Sequence, residues 1–328
     1  MQFRPLGRTG LQVSSVGFGA WGLAGELWQG VDPADAEAAL VAALDAGCTF
    51  IDTALIYGPG VSERVIGRVL RGRPDRDRVV VASKIPPLDR RWPPDPAVPL
   101  AAVFPPAHVV RSVDESLGNL GLDALPLEQL HVWLDRWLDD PTWPDLERAM
   151  ADLVRAGKVR HWGISANDHA PDTALAALDH PLLETVQVIY NIFDRSPERA
   201  LLPRAAERQT GVIARVPFDE GALVGAVTAS SAFDPRDFRS RYFRGERAAQ
   251  AAERAERLRP LLGKEAATLA ELALRFCLSR PEVSTVIPGA RRAAHARANL
   301  VAGDGRPLSP GLLAQLAGHA WDKNWYDW

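Results

Sequence analysis

The sequence predicts an α/β fold, a (β/α)8 TIM barrel with an N-terminal β-hairpin and extended loops on its C-terminal face. Three observations lead there. Eight short apolar, β-rich runs lie near 14–20, 48–54, 79–84, 127–133, 160–166, 185–190, 211–217 and 283–288. Amphipathic helical patterns separate them, as alternating strands and helices require. The length, 328 residues, suits one such barrel, so 1–328 reads as a single domain. No composition break or close repeat marks a second unit, and a doubly wound sheet is the competing arrangement.

The elements follow in order. FRPLGRTGLQVS reads as a hairpin turning at Gly7 to Gly10, placed to cap the bottom of a barrel. In the next run, VGFGAWG fits the G-x-G-x-x-G spacing of a dinucleotide phosphate turn. That turn needs a helix starting inside the motif and an acidic residue about 20 positions on. Here the chain continues WGLAGELWQG, and Asp52 comes 35 residues after Gly17. A first barrel strand ending in a glycine-rich loop accounts for it better.

The first helix opens at Asp32-Pro33, stripes through Ala36, Leu40, Ala43 and Leu44, and ends at Gly47. Val110, Val113, Leu117 and Leu120 mark another before Gly121, and Leu146, Met150 and Leu153 a third before Gly157. Two segments read as irregular. Between Pro86 and Pro106, eight of 21 residues are proline, and 218–262 carries FDEGALVG followed by an arginine-rich run. Both follow strands, where a barrel builds its site, and are candidate covers for substrate or cofactor.

Composition narrows the function. With 47% hydrophobic residues and a net charge of −3, the chain is globular and has no basic excess for nucleic acid or an acidic membrane. No apolar run approaches a bilayer span and no signal-peptide pattern opens the chain, so a cytoplasmic protein acting on small molecules is expected, as monomer or homo-oligomer. Cys48 and Cys277 lack metal or redox spacing and read as buried small hydrophobes; no metal site is expected.

Asp52 and Tyr57 in FIDTALIYG, Lys84 in VVVASK and His131 in LEQLHVW fall at or just past the C-terminal ends of three consecutive strands. Taken singly, each has an ordinary structural role to fill. Together they suit reversible carbonyl reduction. The developing alkoxide needs a proton, which a tyrosine near pKa 10 gives reluctantly. An ammonium beside it would lower that pKa, and a buried carboxylate would hold the ammonium charged. His131 would polarise the carbonyl or share the phenolic proton. A short-chain reductase is excluded because its Tyr and Lys lie on one helix, whereas here 27 residues separate Tyr57 from Lys84.

Across nearly its whole length the sequence resembles the aldo-keto reductase family. The segments that carry the resemblance are LGRTGLQVSSVGFGAWG, FIDTALIYGPGVSERVIG, VVVASK, LEQLHVW, VRHWGISAN, VQVIYN and VSTVIPGARR with Asn299. The resemblance implies a barrel that binds NAD(P)H extended, without a Rossmann domain, with Tyr57 as general acid/base and Asp52, Lys84 and His131 completing a tetrad. It further implies that Ser165, Asn167 and Gln187 hold the nicotinamide carboxamide, although Ala166 separates a Ser-Asn pair that is often adjacent. Arg215 stands where similar enzymes place a stacking aromatic. A guanidinium there would disfavour oxidised cofactor unless Asp219 or Glu220 neutralised it, or it would turn away into a salt bridge. At the adenosine end the implied contacts are Gly289, Arg291, Arg292, His295 and Asn299. The arginines, with Arg297, suit a 2′-phosphate and favour NADPH over NADH.

Ten tryptophans offer aromatic walls. Trp21 and Trp133 lie beside the expected site and are candidate substrate contacts, suiting cyclic or aromatic carbonyls and the matching alcohols. The tail WDKNWYDW is expected to pack on the barrel. An NADPH-binding sensor or accessory subunit with little turnover is the alternative function.

Overall fold

The computed structural model describes residues 1–25, 28–30 and 32–326; Trp328 of the tail lies outside them. Antiparallel strands β1 (Phe3–Pro5) and β2 (Gln12–Ser14) form the expected hairpin. Gly7 holds φ +54°, and a Cβ there would lie 2.1 Å from the Gly211 nitrogen. Only glycine lets the hairpin press so closely on the barrel floor.

Each expected run overlaps a strand: β3 (Phe18–Gly19), β4 (Phe50–Asp52), β5 (Val80–Ile85), β6 (Leu125–Leu130), β7 (Val159–Ser165), β8 (Leu183–Ile189), β9 (Gly211–Arg215) and β10 (Val283–Val286). Neighbours in sequence pair in parallel throughout. The ring closes through parallel bridges Val16 to Val286 and Gly19 to Gly289. This seam explains the glycines of VGFGAWG. A Cβ on Gly19 would lie 2.8 Å from the Ile287 carbonyl oxygen, so the small residues let the first and last strands meet. The segment continues into a short 3-10 turn, Trp21–Leu23, and the first α-helix begins only at Pro33.

Strand periodicity then fixes what the interior contains. Phe50, Val80, Ala82, Leu127, Ile213 and Ile287 cluster with Leu6 and Val13 in the lower barrel. Two residues further along the same faces come Asp52, Lys84, Gln129 and Arg215, so the inner face turns polar toward the C-terminal rim.

Helices Pro33–Asp45, Pro106–Leu120 and Trp143–Arg155 flank the barrel as expected. The Asp32 carboxylate accepts from the Ala34 amide at 2.7 Å, and Gly121 caps the second helix at φ +64°. The loops depart from expectation in part. Leu100–Val103 forms one helical turn within the proline-rich stretch, and Phe238–Tyr242 and Arg247–Glu256 are helical within 218–262. Buried Ala248, Ala251 and Ala255 give the latter an apolar stripe so narrow that the flanking arginines mask it. Both cysteines are buried, and burial pushes the Cys48 thiol up to about 11.

Candidate active site

Lys84 is fully buried at the rim of the barrel. Its ammonium donates to Asp52 Oδ2 at 2.7 Å and to the Thr53 carbonyl at 2.7 Å. The same nitrogen lies 5.2 Å from the centre of the Tyr57 ring. Asp52 Oδ1 accepts from the Gln187 amide at 2.6 Å, so both carboxylate oxygens are engaged. His131 meets the Tyr57 ring edge-on at 6.0 Å. The four residues come from β4, the turn after it, β5 and the residue after β6, and the barrel brings all four together.

Burial works against the Lys84 charge, but Asp52 and Tyr57 outweigh it and hold the ammonium above its ordinary value. For Tyr57 the balance differs from the sequence expectation. Lys84 and Arg215 pull the phenol down, yet burial outweighs them and the pKa stands raised. His131 is pushed well below the usual imidazole value by burial, then by Lys84 and Arg215, which keeps the ring neutral.

Ser165 ends β7 and is buried with Gln187 beside this centre. Asn167 donates to the Trp133 carbonyl at 2.7 Å, and its own Oδ1 is buried with no partner among the described residues. Arg215 does not pair with Asp219 or Glu220. Its Nη2 donates to Asp168 Oδ1 at 2.6 Å and to the Ala166 carbonyl at 3.1 Å. Arg215 thus makes its salt bridge with Asp168, a partner not among the two acidic residues considered from the sequence. Asp219 instead accepts from Lys323 at 2.7 Å, and Glu220 accepts from the Tyr326 hydroxyl.

Trp21 stacks beside Tyr57 with ring centres 6.0 Å apart. Trp133 is not brought to that ring pair but to a separate core cluster. The ring is fully buried between Trp137 and Trp143, and its indole donates to Asp135. Strand β6 ends at Leu130, so alternation no longer aims residue 133 inward. Other aromatics gather around His131 and Trp21: Trp92 lies 5.6 Å from His131, Phe238 lies 5.2 Å from Trp21, and Tyr326 lies 5.9 Å from Phe238. They come from the proline-rich loop, the 218–262 segment and the tail, whose routes back to the barrel no local pattern reveals.

The sequence pattern of the aldo/keto reductase family matches residues 15–320. The chain belongs to that family. It is 31% identical over 298 residues to Aldo-keto reductase YhdN of Bacillus subtilis, covering 89% of this chain and 86% of the relative. It is 28% identical over 322 residues to the NADH-specific methylglyoxal reductase of Escherichia coli, covering 91% of this chain and 92% of that one. Among solved structures, the glycerol dehydrogenase AKR11B4 from Gluconobacter oxydans aligns with a TM-score of 0.78 at 26% identity, over 97% of this chain and 94% of the other. This aldo/keto reductase is therefore an oxidoreductase of a carbonyl-reducing, NAD(P)H-using family.

The adenosine-end candidates of this family member are less gathered. Asn299 donates to the Gly289 carbonyl at 3.4 Å, which joins two of them. Arg291 sits 4.9 Å from the Trp28 ring centre, a ring that Arg239 also approaches at 4.6 Å. Arg292 is exposed, 3.9 Å from Asp35, and His295 is exposed in the first turn of the helix Ala293–Leu300. No helix among the described residues is long and apolar enough to cross a membrane.

Proposed function

We propose that this aldo/keto reductase catalyses NADPH-dependent reduction of an aldehyde or ketone, reversibly, with Tyr57 as the general acid/base. The observation that carries the reading is Lys84 buried between Asp52, 2.7 Å away, and the Tyr57 ring, 5.2 Å away. A buried ammonium fixed in this way stabilises negative charge on the phenolic oxygen when its proton leaves.

The residues fit a nicotinamide. The buried Asn167 Oδ1, without a partner among the described residues, is an acceptor of the kind a carboxamide N–H requires, and Ser165 and Gln187 stand side by side on β7 and β8 close to it in the chain and the sheet. Bound NADPH supplies the hydride. The chain supplies the rest: raised by burial, Tyr57 stays protonated near neutral pH and gives its proton to the substrate oxygen. Lys84 then faces the resulting phenolate, and Asp52, tethered by Gln187, keeps Lys84 charged. Neutral His131 offers a ring N–H to the same oxygen. Trp21, Trp92, Phe238 and Tyr326 suit a flat or apolar substrate body. Arg291 and its neighbours favour the 2′-phosphate of NADPH, with NADH the lesser partner.

A panel of aromatic and cyclic aldehydes and ketones, monitored by NADPH absorbance, tests this reading. Multiple turnovers with at least one carbonyl are expected. Tight NADPH binding with no turnover on the panel would favour the sensor or accessory role instead.

A further inference from the structure

Arg215 closes β9 on the inner face of the barrel, four strands around the ring from Lys84 on β5. Its guanidinium is held from outside the strand, by Asp168 at 2.6 Å and by the carbonyl of Ala166 at 3.1 Å. Nε is buried and has no partner among the described residues. The group is thus a fixed cation at the same C-terminal rim as Lys84, near enough for its charge to act on the Tyr57 phenol and the His131 ring. Each cation has one carboxylate partner, Lys84 with Asp52 at 2.7 Å and Arg215 with Asp168 at 2.6 Å.

We propose that Arg215, steered by Asp168, is a second cation of the acid/base centre, placed to favour the tyrosinate of Tyr57 when the reaction runs toward alcohol oxidation. The inference rests on the function proposed above. In that direction the alcohol's hydroxyl proton passes to the phenolate oxygen and the C–O bond becomes a carbonyl. The carbinol hydride passes to the oxidised nicotinamide cofactor.

The His131 ring meets Tyr57 edge-on and the Lys84 ammonium lies 5.2 Å from its ring centre; the charges of Lys84, Asp52 and Arg215 bear on the phenol, and those of Lys84 and Arg215 on the imidazole. Arg215 in turn faces Asp168, Tyr326 of the tail and Glu220 of the following turn. Asp219, beside Glu220, is matched by Lys323 at 2.7 Å. Asp168 is a positioning residue, since its contact is with Arg215.

The test is the pH profile of kcat/KM for oxidation of 1-phenylethanol with NADP+, together with NADP+ affinity by protein fluorescence. It compares the wild type with Arg215→Gln, Arg215→Lys and Asp168→Asn. Loss of the cation in Arg215→Gln is expected to move the rising limb to higher pH by about half a unit or more. Arg215→Lys should restore most of the shift. Asp168→Asn keeps an acceptor but removes the counter-charge, so the limb should move to lower pH. An unmoved limb in Arg215→Gln, or equal shifts of the same sign in the Gln and Asn variants, would overturn the inference and leave the proposed function intact. Should Arg215→Gln fail to fold, the Asp168→Asn profile decides, and a limb that stays or rises overturns it. NADP+ binding without turnover in the wild type, on this alcohol and on the carbonyl panel, would instead overturn the functional reading itself, and this inference with it.

Discussion

Lys84 and Asp52 form an ion pair across adjacent strands, 2.7 Å apart with side chains 0% and 5% exposed. Removing one partner leaves the other charge buried and unmatched, which costs about 3–5 kcal/mol. Asp52→Asn and Lys84→Met should therefore each lower the urea midpoint markedly. The double variant should lose clearly less than the sum, because no orphan charge remains. Additive losses would contradict a mutually dependent pair. Activity should be lost in all three variants, since stability and chemistry depend on the pair for different reasons.

Glu220 links stability to pH. Burial first, then Asp219 and Asp168, pushes its carboxyl from 4.5 up to about 7 against the pull of the Tyr326 hydroxyl and Arg215. Across that window the native chain keeps a proton that the unfolded chain releases. The contribution is full below pH 4.5 and is lost as pH rises through about 7. The loss amounts to something on the order of 3 kcal/mol. Unfolding curves of Glu220→Gln should lack this component, falling less than wild type between pH 5 and 8. Parallel pH dependence in the two proteins would contradict it.

Trp92 and Trp133 separate wall from core. Trp133→Ala empties a fully buried aromatic cluster and should cost about 3–5 kcal/mol. Trp92→Ala should leave stability within about 1 kcal/mol while changing KM for bulky carbonyls several-fold. Comparison of urea midpoints and of kinetics on small and large substrates checks both. A destabilised Trp92 variant with unchanged KM would reverse the assignment.

The eight strands were legible because each buried run is bounded by turn residues and all but β7 are followed by an α-helix; after β7 two short 3-10 turns, Pro171–Ala174 and Ala176–Asp179, take its place. Their ends were less so, and Trp133 shows the cost. Extending β6 by three residues carries the alternation past the point where the strand stops. The polar cluster could be inferred because Asp52, Lys84 and His131 sit at strand ends, where a barrel focuses whatever the chain places. Asp168 could not, since it meets Arg215 across 47 positions of sequence and lies in a loop with no periodicity. Tyr326 was hidden for a similar reason. Its place over the site depends on Lys323 reaching Asp219 and on the turn at 219–221. Asp219 and Glu220 there adopt φ of +47° and +56°, a conformation sequence propensity argues against.

The most direct measurement on the central claim is Tyr57→Phe, with NADPH affinity by fluorescence titration set beside turnover on the best carbonyl found. Loss of one hydroxyl should leave cofactor affinity within about twofold while kcat falls by about two to four orders of magnitude, the share a general acid supplies. Turnover close to wild type, with NADPH still bound, would contradict the account.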